Sequence, residues 1–248
     1  MRIYKHVRQV VLLFVVTGGA VASAIQVGQV DDFQDGTVMN WSEGGGSPNP
    51  PANLADSGPA GTGDHALRNV SSGGNGPGSR MLMFNTAQWS GDYLAAGVEK
   101  IDVSLKAASS SAALNMRIAI NSGVTWYASQ NAFVLPNDNQ WRNASFPLDA
   151  SDLTLIQGTD SLQDVLQNVT QLRLLSAAQP NFRGDQISAT LFVDDIAAGP
   201  TCVELISTGS GIAADLSGPE GQPDCRVDIF DLVALAGSWL DCISSGCL

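Results

Sequence analysis

Between residues 100 and 196, apolar side chains recur at every second position, and turn-forming residues separate the runs. Ile101, Val103 and Leu105 alternate with Asp102, Ser104 and Lys106. Leu114, Met116, Ile118 and Ile120 repeat the pattern, as do Leu172 and Leu174. Successive side chains of a strand point to opposite faces, so this period gives each strand one apolar face and one wet face. Sheets built from such strands must bury their apolar faces against each other. The spacing predicts strands over residues 65–71, 80–85, 100–107, 113–120, 125–128, 141–148, 170–176 and 187–196. A short helix or turn is expected over 161–168. Residues 25–197 therefore read as an all-β sandwich or barrel. Two stretches rich in Gly, Pro, Ser and Asn, 43–63 and 71–79, read as loops.

The N-terminus reads as an export signal. Arg2, Lys5, His6 and Arg8 flank an apolar run over 10–16, and Ala22-Ser-Ala24 has the A-x-A form of a cleavage site. The run is too short to span a bilayer. Cleavage is expected after Ala24, giving a secreted, extracellular or cell-surface protein with no membrane insertion. The whole chain carries a net charge of −12. Losing residues 1–24 removes three basic residues and no acidic one, which brings the charge to −15. That argues against nucleic acid as a partner. All four cysteines, Cys202, Cys225, Cys242 and Cys247, fall in the last 47 residues. An even count in an exported chain predicts disulfides, with three pairings open.

Catalytic patterns are missing from the sequence. His65 is the one histidine after residue 24, and no G-x-S-x-G elbow surrounds a serine. The glutamates are Glu43, Glu99, Glu204 and Glu220, and none falls in a Glu-x-Asp-x-x-Glu strand pattern. The cysteine spacing does not fit zinc. The expectation is a non-catalytic binding protein, and the resemblances given below imply a polysaccharide or cell-surface glycan as its partner. Sugar rings stack on aromatic faces beside polar groups. Trp41, Trp89, Tyr93, Trp126, Tyr127 and Trp141 are the candidates. Trp89, Asp92 and Tyr93 in one loop-like stretch, with Trp126, are the expected contacts. The alternatives are an extracellular polysaccharide hydrolase or lyase, and a structural surface protein with no small ligand.

Two sets of motifs carry resemblances. The stretch from Asp215 to Asp231 places short oxygen-bearing side chains ahead of a helical apolar pattern. It resembles one repeat of a type I dockerin, the calcium-dependent docking module of bacterial glycan-degrading systems. The resemblance implies Ca²⁺ held by Asp215, Ser217, Asp224, the Arg226 carbonyl, Asp228 and Asp231. It also implies a linker over 198–211, a module over 212–248 and a cohesin-like protein partner. The sequence departs from the pattern in three places. Pro219-Glu-Gly-Gln-Pro223 is an insert, Cys225 stands where the loop has Gly, and Ile229-Phe230 replaces a small hydroxyl pair. The ends of the larger domain, Asp31-Asp-Phe-Gln-Asp-Gly36 and Val193-Asp-Asp-Ile196, resemble those of jelly-roll carbohydrate-binding-like domains. That implies a jelly-roll sandwich with its first and last strands side by side. It also implies a structural Ca²⁺ near the Asp31/Asp32 and Asp194/Asp195 pairs, with Asp32 and Asp195 as ligands.

Overall fold

The computed structural model describes residues 24–110, 112–200 and 232. The expected tail ligands Asp215, Ser217, Asp224, Arg226, Asp228 and Asp231, all four cysteines and the expected signal segment before Ala24 lie outside the described residues. None of the described helices is long and apolar enough to cross a membrane.

The described chain folds as a jelly-roll sandwich of two antiparallel sheets. One sheet has the order β2 (Ala52–Leu54), β3 (Ala66–Ser72), β12 (Ser188–Gly199), β5 (Lys100–Ser110), β9 (Arg142–Pro147), with β1 (Val30–Asp31) also paired to β12. We call it the first sheet. The second has the order β10 (Leu153–Gln157), β7 (Thr125–Ser129), β6 (Leu114–Ser122), β11 (Gln171–Ser176), β4 (Leu82–Asn85), with β8 (Phe133–Leu135) paired to β6. The helix α1 covers Leu162–Gln167. Ser161 caps it by accepting from the Asp164 amide, and Asp164 reaches back to Ser161. That reciprocal cap is why a six-residue helix starts where it does.

The alternation read from the sequence sets the layers. Ile101, Val103 and Leu105 of the first sheet and Met116, Ile118, Ile120, Leu172 and Leu174 of the second share one buried cluster. Burying each such side chain stabilises the fold by roughly 1.5–3 kcal/mol. Strand β12 runs to Gly199, paired with Lys100.

One strand changes neighbour midway, and this positions four acids. Strand β12 pairs with β3 from Ser188 to Val193, then with β1 at Ile196 and Ala197. Between the two ladders its pairing with β5 breaks register from Asp194 to Ala197. Asp195 sits there at φ 47°, a left-handed conformation that Asp tolerates better than most residues. The chain leaving β1 and the chain entering β3 both pass this gap. They bring Asp32 and Asp64 beside Asp194 and Asp195.

Candidate functional site

The expected sugar contacts do not form a surface. Trp89 and Tyr93 are fully buried, and Trp41 is buried beside Trp89 with ring centroids 6.2 Å apart. Trp41 Nε1 and Trp89 Nε1 donate to Asp31 Oδ2 at 2.7 and 2.6 Å, and Gln88 Nε2 donates to the same oxygen at 3.0 Å. This apolar stretch is core, closing the end of the sandwich around one carboxylate. Burial pushes the Asp31 pKa up, although the indole and amide bonds pull against it. Asp92 is exposed and accepts from the Ala95 amide at 2.8 Å, which is a turn contact. Trp126 lies on the outer face of the second sheet but is only 7% exposed.

Around the expected contact Trp126, that outer face gathers aromatic and cationic groups the sequence reading did not name, Phe84, Phe182 and Arg173. The register gives a cross-strand row of Ser42, Phe84, Arg173, Ala119, Ala128 and Thr154. The two alanines are small enough for the Arg173 side chain to lie across the sheet. Its guanidinium stands 4.2 Å from the Trp126 ring centroid and 5.8 Å from those of Phe84 and Phe182. Phe182 stacks on Trp126 at 4.8 Å and 19°. Phe182 belongs to the irregular segment over 177–187, which crosses this face. The segment is firmly held. Arg117 donates to the carbonyls of Ala177 at 2.9 Å and Ala178 at 3.3 Å, and Arg80 donates to that of Gly184 at 2.8 Å. Gly184 must be glycine, since a Cβ there would fall onto the Met81 carbonyl.

The first sheet has a smaller outer patch. Lys106 Nζ lies 4.7 Å from the Trp141 centroid and 4.6 Å from that of Phe192, and it donates to the Ser57 carbonyl at 3.3 Å. Burial lowers its pKa below the usual lysine range. An open cavity of about 180 Å³ lies at the sheet edges beside Phe133, Phe146 and Asp152. Small-molecule sites usually enclose about 300 Å³ or more, so an oligosaccharide would not fit there.

The acid cluster is the other site. Asp194 is 1% exposed. Its Oδ1 accepts from the Asp195 amide at 2.9 Å. A Cβ built on Gly58 would land on Asp64 Oδ2 and 2.9 Å from Asp194 Oδ2, so both oxygens border one small space. Burial pushes the Asp194 pKa up to about 7; the Asp195 amide bond opposes this, and the charges of Asp195, Asp64 and Asp32 add to it. Asp195 is also raised, by burial and then by Asp64 and Asp32. The two ion pairs among the described residues, Lys100–Asp102 and Arg142–Asp138, do not involve these acids. Four crowded carboxylates suit a hard cation that takes oxygen ligands. Among the described residues, however, no three acidic, His or Cys side chains stand in a finished coordination geometry. Of the acids read from the sequence, Asp32 and Asp195 do meet, Asp31 is consumed by the two tryptophans, and Asp64 was not foreseen.

No family model matches the chain, and no curated protein matches it. Comparison with solved structures finds similar chains at low identity. An exo-β-agarase matches at 10% identity, over 71% of this chain and 25% of that one, with a TM-score of 0.49. A family 11 carbohydrate-binding module from Clostridium thermocellum, in complex with a β-1,3-1,4-mixed-linked tetrasaccharide, matches at 17% identity. That match covers 72% of this chain and 98% of that one, with a TM-score of 0.44. A carbohydrate-binding module studied for mannan recognition matches at 15% identity, over 68% of this chain and 94% of that one, with a TM-score of 0.34. The chain spans a quarter of the agarase's length.

Proposed function

We propose that this is a secreted, non-catalytic glycan-binding protein whose binding surface is the outer face of the second sheet. The observation that carries the reading is the convergence of Phe84, Trp126, Phe182 and Arg173 on this outer face, beside a small apolar cluster that includes Ala119, Ala128 and Leu175. Gln171, half-exposed beside them, supplies an amide for sugar hydroxyls.

The test is affinity electrophoresis of the full chain in gels containing neutral and charged polysaccharides. Joint replacement of Phe84→Ala and Phe182→Ala is expected to weaken binding about tenfold or more, which is about 1.4 kcal/mol. Phe182 also packs over the Trp126 cluster, so the melting temperature should fall, and binding is compared at a temperature where both chains are folded. Trp141→Ala, on the other sheet, should leave binding unchanged. Loss of binding in Trp141→Ala alone would move the site to the first sheet.

Two further parts of the reading concern Ca²⁺. Asp32, Asp64, Asp194 and Asp195 would hold one ion at the strand gap, and its charge would offset their mutual repulsion. The tail would hold another through Asp215, Ser217, Asp224, Arg226, Asp228 and Asp231, and would serve as a docking element for a cohesin-like protein. The support for the tail is its sequence pattern. Calorimetric titration of the full chain with Ca²⁺ is expected to report two classes of site, with Asp228→Ala removing one and Asp195→Asn the other. An unchanged isotherm in Asp228→Ala would end the docking reading.

A further inference from the structure

We infer that the outer face of the second sheet takes an anionic polysaccharide, one whose sugar units carry carboxylate or sulfate groups. This rests on the reading of that face as a glycan site and narrows its ligand.

The first argument is where the cations are. Residues 25–200 contain eight Lys and Arg against seventeen Asp and Glu. Four of those eight, Arg80, Arg117, Arg173 and Arg183, meet on this face around the segment over 177–187. In so acidic a domain, random placement would scatter them among carboxylates. Instead, none is in an ion pair among the described residues. Asp185 is the carboxylate that acts on Arg117, and its Oδ2 already accepts from the Ala178 amide at 2.8 Å. Asp160, at the β7 edge, is bonded to Thr125 Oγ1 at 2.6 Å.

The second argument is what the face presents. Arg173 Nε donates to Gln171 Oε1 at 2.7 Å and Nη1 to the Phe182 carbonyl at 2.7 Å. Those two bonds fix the plane of the guanidinium. Nη2 makes no hydrogen bond among the described residues. Arg183 is exposed and stands 5.3 Å from the Phe182 centroid, so two guanidinium groups flank one ring. Burial and the nearby Arg183 charge pull the Arg173 pKa down to about 10. A half-buried cation beside a like charge is costly until an anion joins it. Guanidinium is the group that matches carboxylate and oxyanion geometry with two parallel bonds.

The third argument separates charged from neutral glycans. A neutral pyranose needs an open aromatic ring to stack on. Trp126 is 7% exposed and already carries Phe182 and Arg173. What the face offers is a half-exposed, positioned Arg173 guanidinium backed by the half-exposed rings of Phe84 and Phe182. The chain's overall charge of −12 works against indiscriminate capture of polyanions, so binding to one requires a local site.

The test compares matched polymers with the full chain at low salt. A sulfated galactan is set against its desulfated form, and a polyuronate against its methyl ester. A mixed-linked glucan is the neutral reference. At least tenfold tighter binding to one charged member than to its neutralised partner is expected, weakening as salt rises. Whichever pair discriminates identifies sulfate or carboxylate as the recognised group. Arg183→Ala should reduce that preference severalfold with no change in melting temperature. Arg173→Lys, which keeps the charge and loses the fork, should also reduce it. Equal, salt-independent binding of charged and neutral members, still sensitive to Phe84→Ala with Phe182→Ala, would overturn the inference and leave the glycan reading standing. Binding to none of the polymers would overturn both.

Discussion

Replacing Asp31 with Ala is expected to destabilise the sandwich by about 2–6 kcal/mol, read as a fall in the urea midpoint. Two indole N–H groups and one amide N–H lose their shared acceptor. Trp41 and Trp89 are 3% and 0% exposed, so water cannot take its place without rearrangement. Each buried donor left unpaired costs about 1–3 kcal/mol. Asp31→Asn keeps a carbonyl oxygen there and should cost clearly less. Equal losses for Ala and Asn would mean that the oxygen is not what holds the two tryptophans. Because Asp31 turns inward, its replacement by Asn should leave the response to Ca²⁺ intact.

The acid cluster gives the second large effect. The folded-state pKa of Asp194, about 7, lies above its ordinary value of 3.8. The folded state therefore holds this proton more tightly than the unfolded state does. Stability is highest when the group is protonated, and it falls as pH rises from about 4 through about 7. Over that window the loss is on the order of 4 kcal/mol, at about 1.4 kcal/mol per unit. With a chelator present, the melting temperature should decline from pH 4.5 to 8. Asp194→Asn removes a charge from the cluster, so it should flatten that decline and raise the melting temperature at pH 8. With Ca²⁺ present, the parent chain should regain stability at high pH, by about 2.7 kcal/mol at a hundred times the dissociation constant. Asp194→Asn should regain little. A melting temperature that climbs between pH 5 and 7.5 in chelator would show that these carboxylates are not crowded.

Much of this architecture could be read from residue order. The eight alternating runs became strands within one to three residues, because each places enough apolar side chains on one face to set its own register. The short helix or turn expected over 161–168 is a helix over Leu162–Gln167. The strands that escaped were β1, β2, β8 and β10. The first three are two or three residues long and have no period to detect. Strand β10 is interrupted by a register shift between Leu155 and Gln157. The acid pairs at the two ends of the domain were legible as pairs. Their partner Asp64 was not, since it arrives only because β12 exchanges one neighbour for another.

The aromatic residues were misread for a different reason. Trp89 and Tyr93 sit among Gly, Ser and Asp, a composition that suggests an open loop, yet the loop folds inward around Asp31. Burial of a single ring depends on contacts distant in sequence, and local composition does not carry them. Arg173 did leave a signal. It lies between Leu172 and Leu174, both inward, so alternation alone points it outward, beside Phe84 on the neighbouring strand.

The pairing of β1 with β12 also decides how the domain bears load. Gly28 N donates to Ala198 O at 2.7 Å, and Ala198 N to Gln29 O at 2.9 Å, so the chain enters and leaves at one corner. Antiparallel ladder bonds lie across the strands. Tension between the segments before and after the sandwich therefore meets them one rung at a time, peeling β1 away first and releasing Asp31 from its tryptophans. Pulled by its own two ends, this body is a zipper. Held instead by its C-terminal side and by a ligand on the second sheet, it would be loaded through β12, with β1 bypassed.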